Sequence, residues 1–194
     1  MKNFNDIQNE ATKYFTNRWI RWVHEGSTPA NSTAEKTAHV LMGENSNHCA
    51  MCLNLNGCYF VVDKCPPKPL HPKCHCYTMD IPPITAKSEC AIEKFSKYVF
   101  VPSNKNDKKQ LFELWGYDIM DSQYLQQEFA RQAKLAYSVG DYELGYLNEY
   151  GQRINITITL KRKNKNEDIS FRSGWMTYPN GNIALTTTYG GKKK

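Results

Sequence analysis

The sequence predicts an α+β fold: N-terminal helices lead into a metal-stapled hairpin and loop, and further helices then pack on a small antiparallel β-meander. Three observations predict it. Apolar residues recur at helical spacing before residue 24 and again between residues 88 and 139. Six of the seven cysteines and three of the five histidines crowd into residues 48–76. After Gly151 the pattern changes to strict alternation, which marks a half-buried strand.

In order along the chain, Phe4, Ile7, Ala11, Tyr14, Phe15, Trp19, Trp22 and Val23 share one face of an expected helix that Gly26 ends. An aromatic stripe of this kind usually packs into a core. With Arg18 and Arg21 beside Trp19 and Trp22, the same face also has the composition of an interface hot spot. Ser32-Thr-Ala-Glu35 has capping-box spacing and opens a second helix that runs to Gly43. Asn56-Gly57 is a tight-turn signal, so residues 53–55 and 58–63 are expected to form a hairpin. Residues 66–83 are a proline-studded loop that becomes a linker, dividing the chain into a helical and metal-binding unit, 1–84, and an α+β unit, 85–194.

In the second unit, residues 88–98, 106–115 and 122–139 carry helical periodicity, with Gly116 and Gly140 as stops. Ile154, Ile156, Ile158 and Leu160 then alternate with Arg153, Asn155, Thr157 and Thr159. Residues 161–167 form a polar turn. Ile169, Phe171 and residues 175–178 make the return strand, Pro179-Asn180-Gly181 turns again, and residues 183–189 supply a third strand.

The cysteine cluster points to a metal. Cys49-x-x-Cys52 places two thiolates along one tetrahedral edge, and a second group about twenty residues later closes a shell around zinc. A disulfide framework fits less well: seven cysteines is an odd number, and no apolar secretory leader opens the sequence. Cys49, Cys52 and Cys74 are common to the good ligand sets, and the fourth ligand is His71 or Cys76. His71-x-x-Cys74 presents two ligands from one turn whose backbone Pro72 fixes, whereas Cys74-x-Cys76 suits a tighter hook. Four protein ligands leave no position for water or substrate, so this zinc is structural. Cys58, Cys65 and Cys90 read as small buried hydrophobes.

The ordered run Cys49-x-x-Cys52, Leu55-x-Gly57, Pro66-Pro67 and His71-Pro72-x-Cys74-x-Cys76 resembles the zinc-binding tail of phage minor head proteins, the Mu F-like head morphogenesis group. The resemblance covers about thirty residues. It implies phage or mobile-element ancestry and a metal-dependent fold, but not the family's job, because the long portal-binding helical region has no room before Cys49. From about Lys94 onward, Tyr150-Gly151, the alternating strand, Ser173-Gly174-Trp175 and Leu185-Thr-Thr-Thr-Tyr189 resemble a toxin-associated domain of unknown function. That likeness implies kinship to small ribonuclease-like toxin folds.

Composition narrows the function further. The formal net charge is +6, and the excess lies in the second half: residues 1–90 carry nine Lys/Arg against eight Asp/Glu, residues 91–194 sixteen against eleven. No apolar run approaches the roughly eighteen residues of a membrane span. With no leader, the expected location is the cytoplasm of a bacterial host. The last histidine is His75, so a ribonuclease in the second half would be metal-independent and would rely on Arg131, Lys134, Arg172, Tyr178 and Tyr189. No Gly-rich phosphate loop or zinc-hydrolase motif is present. The expectation is therefore a binder that presents Arg18, Trp19, Arg21, Trp22, Lys161, Arg162, Lys163, Lys165 and Arg172, with the tail Lys192-Lys-Lys194, to a host protein. A defence nuclease or its nucleic-acid complex would be such a partner, inhibited as anti-CRISPR proteins do. The alternatives are a ribonuclease toxin and a minor phage head component.

Overall fold

The computed structural model describes residues 12, 16–24, 49–101 and 108–191. Two β-sheets with helices against them give the α+β class. A three-stranded antiparallel sheet is built from β1 (Trp19–His24), β2 (Tyr59–Val61) and β3 (Cys76–Ile81), with β1 in the middle. A five-stranded sheet has the order β4-β8-β7-β6-β5, from β4 (Lys87–Glu89), β5 (Glu143–Asn148), β6 (Gly151–Lys161), β7 (Asp168–Tyr178) and β8 (Asn182–Thr187). Within it β4 alone runs parallel to its neighbour. The described elements also include three α-helices, α1 (Ala50–Leu55), α2 (Lys108–Leu114) and α3 (Ser122–Ser138), and two short 3-10 turns, Val62–Lys64 and Ile119–Asp121. A single π-helical turn covers Lys94–Val99.

The large sheet follows from the alternation in β6. Ile154, Ile156, Ile158 and Leu160 are all buried, and they meet Leu125, Phe129, Ala133 and Tyr137, which recur every fourth residue on α3. Phe171 completes the layer, stacked on Trp115 at 5.1 Å and tilted against Phe129 at 5.9 Å. Pairing of β5 with β6 reaches Asn155. Beyond it the Gln132 side chain serves the open edge as a strand would, donating to Thr159 O at 2.7 Å and accepting from Thr159 N at 2.8 Å. Asn180 at φ 59° and Gly181 at φ 75° are the left-handed pair inside the three-residue turn, 179–181, between β7 and β8, closed by Asn182 N donating to Pro179 O.

Several sequence expectations change. Residues 19–23 form the central strand of the small sheet instead of ending a helix, because β2 and β3 offer ladder partners on both sides of an aromatic and β-branched segment. The turn at Asn56-Gly57 exists, with Gly57 at φ 82°, but it joins a helix to a strand. Residues 53–55 belong to α1, and β2 pairs with β1. The helix expected over residues 88–98 is replaced at its start by β4, which the exposed edge of β8 captures, and at its end by the π turn. The three-stranded meander is the core of a larger sheet extended by β4 and β5. Most of the residues expected in the first helix before Trp19, the helix expected at residues 32–43 and the tail at 192–194 lie outside the described residues.

The expected boundary at 84/85 does not coincide with a boundary between cores. The larger core holds Trp19, Val61, Ile84 and Ala86 together with α3 and the large sheet, and Trp19 meets Tyr137 edge to face at 5.7 Å. A smaller core of Ile20, Trp22, Leu55, Cys58 and Phe60 underlies the cysteine cluster. Between the two, Tyr142 Oη accepts from Val61 N at 2.9 Å and donates to Lys64 O at 3.0 Å. Among the described residues no helix is long and apolar enough to cross a membrane.

Candidate metal centre

Three elements deliver the cysteines and histidines to one place. Cys49 is the N-cap of α1: its Sγ accepts from Cys52 N at 3.4 Å, and one helical turn brings Cys52 Sγ to 3.3 Å from Cys49 Sγ. A strand would have sent residues three apart to opposite faces, so the two sulfurs meet because this segment is helical, which the turn signal did not reveal. Residues 65–75 carry no helix or strand and loop back over α1. There the chain turns through Lys73 at φ 59°, with Cys74 N donating to His71 O at 3.2 Å. That turn aims His71 Nε2 at Cys52 Sγ, 3.0 Å away, and places Cys74 Sγ 3.8 Å from the same atom. His71 Nδ1 lies 2.8 Å from Pro72 O. A proton on Nδ1 satisfies that carbonyl and leaves the Nε2 lone pair facing the sulfurs, the usual arrangement behind a metal-bound imidazole.

The third element is the β1–β3 ladder. Its register sets His24 opposite Cys76, and the ligand atoms of His24, Cys52 and Cys76 lie within 4.8 Å of one another, as do those of Cys49, Cys52 and His71. All five sequence-expected ligands, Cys49, Cys52, His71, Cys74 and Cys76, thus converge, with Cys52 shared by both triads. His24 is an addition. A strand reading of Trp19-Ile-Arg-Trp-Val-His24 would have put its side chain on the same face as Trp22 and Ile20; the helical reading hid it.

The electrostatics suit a cation. Burial, reinforced by Cys49 and Cys76, pushes the Cys52 thiol up. Burial also raises Cys76, against the opposing influence of the Trp22 indole and Cys52. The Trp22 N–H is buried without a partner of full hydrogen-bond geometry and favours the Cys76 thiolate from close by. At Cys74 burial pushes upward too, but backbone hydrogen bonds at Cys76 and Leu70, with the neighbouring thiols, outweigh it and bring the group down to about 7. Crowded thiols of this kind do not all ionise alone; a metal supplies the charge that lets them. A zinc tetrahedron with Zn–S near 2.3 Å and Zn–N near 2.0 Å spaces sulfurs about 3.8 Å apart and sulfur from nitrogen about 3.5 Å. The Cys52–Cys74 separation of 3.8 Å matches that spacing, while Cys49–Cys52 at 3.3 Å and Cys52–His71 at 3.0 Å are about half an ångström shorter and would open around an ion. The cluster could hold a metal ion.

The remaining cysteines stay apart from these triads. Cys58 and Cys90 are buried, and burial pushes the Cys90 thiol up to about 12. Cys65 is half-buried, with Sγ 3.1 Å from Pro66 O.

The expected partner surface is dispersed. Trp19 and Trp22 are 1% and 0% exposed, so they belong to the two cores and present no face to a partner. Arg18 is exposed and pairs with Asp80 at 3.1 Å, while Arg21 is half-buried. In the turn after β6, Lys163 is held by both oxygens of Asp121 at 2.9 Å, and Arg162 pairs with Glu167 at 3.3 Å and donates to Leu114 O. Lys161 and Lys165 are exposed. Arg172 is half-buried beside Glu143, at 3.8 Å. Of the residues considered for a ribonuclease, Arg131 is engaged by Glu128, and Tyr189 packs on Phe171 and Trp115.

No protein-family model, no curated protein and no solved structure matches this chain.

Proposed function

We propose that this is a zinc protein whose metal holds structure, and that it acts by binding a macromolecule in a bacterial cytoplasm. The observation that carries the zinc is the meeting of Cys49 Sγ, Cys52 Sγ and His71 Nε2 within 4.8 Å, with Cys74 Sγ beside them. Sulfur and imidazole donors gathered in one place are the set zinc prefers, and four of them leave no open coordination position. The ion fastens residues 65–75, which have no regular structure of their own, onto α1. Elemental analysis of protein purified without chelator tests this. Zinc bound to the chain is expected; protein that is folded and free of metal sinks the reading.

The partner we propose is a host defence nuclease, alone or with its nucleic acid, which the protein inhibits. Two things support it: the resemblance of residues 48–76 to phage head proteins, and the exposed cations Lys161 and Lys165 on the large sheet's turn. Recovery of a nuclease with the tagged chain from bacterial lysate, and loss of that nuclease's activity in its presence, is the expected outcome. A captured nuclease that works at full rate overturns the inhibitor role.

A further inference from the structure

The cluster holds more donors than one zinc takes. Cys49, Cys52, Cys74 and Cys76 supply four sulfurs, and His24 and His71 two imidazoles, while a structural zinc binds four ligands. The six are not a single shell. One triad, Cys49, Cys52 and His71, and a second, His24, Cys52 and Cys76, share the Cys52 sulfur. Cys74 stands next to the shared atom at 3.8 Å, and its thiol hydrogen-bonds to both Cys52 and Cys76.

We propose that the centre is dinuclear: two zinc ions bridged by the Cys52 and Cys74 thiolates, one completed by Cys49 and His71 and the other by His24 and Cys76. This rests on the zinc reading above. Coordination balances, because six donors with two of them shared give four ligands at each metal. Charge balances as well. Two divalent ions match the charge of four thiolates, so the filled centre is neutral, as a partly buried site requires.

The second position is built, not incidental. His24 is 3% exposed and sits directly across the ladder from Cys76. Its backbone N–H donates to Asn56 Oδ1 at 3.0 Å, and Asn56 is the C-cap of α1, the helix that carries Cys52. Gly57 N donates to Trp22 O and Trp22 N to Cys58 O, both at 2.8 Å. These hydrogen bonds fix the strand bearing His24 against the helix bearing the bridging cysteine.

Native mass spectrometry of the full chain in excess zinc tests the proposal, together with NMR after exchange with the spin-active cadmium isotope. Two zinc ions per chain, and two cadmium resonances coupled to each other through the shared sulfurs, are expected. His24→Ala should then fall from two ions to one. One zinc at saturation in the unsubstituted chain overturns the dinuclear centre and leaves the single structural zinc standing; no zinc at all removes both. Two ions that show no mutual coupling, or a folded His24→Ala chain that still holds two, overturn the assignment of ligands. If His24→Ala does not fold, the ion count and coupling in the unsubstituted chain decide.

Discussion

Cys52 is the residue on which the site turns: it is buried, one helical turn from Cys49, and within reach of His71, Cys74, Cys76 and His24. Cys52→Ser is expected to abolish metal binding, measured as zinc per chain, whereas Cys90→Ser should leave the metal content unchanged, since Cys90 lies in the other core. The clustering of Cys49, Cys52, His71 and Cys74 was legible in the sequence because Cys-x-x-Cys and His-x-x-Cys are local spacings that a compact backbone brings together. His24 was not, because its place depends on a ladder with Cys76, fifty-two positions along the chain. A second residue-scale test lies at the turn after β6. Burial pushes the Asp121 carboxyl up, but Lys163 and the Asp118 backbone outweigh it and hold it below its ordinary value. Lys163 is raised, chiefly by its hydrogen bond to Asp121. A depressed carboxyl contributes stability that is present above its unfolded pKa of about 3.9 and lost as pH falls through the folded value; a raised ammonium contributes stability that is lost as pH rises through its folded value, above about 10.4. Denaturant midpoints of Lys163→Met should therefore fall below those of the unsubstituted chain between these limits and converge with them in acid. A gap that persists in strong acid would place the effect in packing instead.

At the scale of elements, β6 shows what sequence pattern does best. Its four alternating aliphatics are buried to within 2% exposure, since period two on a long strand has no helical alias. Ile156→Ala should cost about 2–5 kcal/mol by equilibrium unfolding, the usual range for truncating a buried aliphatic. Short segments were less legible. Trp19, Trp22 and Val23 satisfy helical spacing and strand composition alike, and only the edges of β2 and β3 decide between them. The same holds for residues 87–89, whose strand exists because β8 leaves an edge beside it, with Ser88 Oγ fixed on Ala130 O at 2.7 Å. The consequence at Trp22 is specific. Fully buried over the cysteine cluster, it should cost about 3–5 kcal/mol when replaced by Ala. It should also weaken zinc retention in a competition with a colorimetric chelator, because its indole supports the Cys76 thiolate. Stability lost with zinc affinity intact would assign Trp22 to packing alone.

At the scale of the molecule, the question is whether the metal-binding part and the sheet domain melt together. The sequence divides them near residue 84 by composition, but Trp19 and Val61 are buried in the larger core, and Tyr137 and Tyr142 reach across to the carbonyls of Tyr59 and Lys64. The two parts are also unequal. The small core has five buried residues and a loop without regular structure, so under the proposed zinc reading the metal would supply much of what orders it. The large core keeps β6, β7, β8 and α3 and loses two of its twenty-four buried members. Chelation is therefore expected to act unevenly. Hydrogen exchange should speed up first in α1, β3 and residues 65–75, then in β1 and β2, while α3 and the strands β6 and β7 keep their protection. The surviving unit should nevertheless melt several degrees lower, because Trp19 no longer covers Tyr137. Measured by calorimetry, a single transition before chelation should become a weaker one of the sheet domain afterwards. Loss of protection throughout the chain would show that the zinc part and the sheet fold only as one, and an unaltered exchange pattern would show that the metal supports neither.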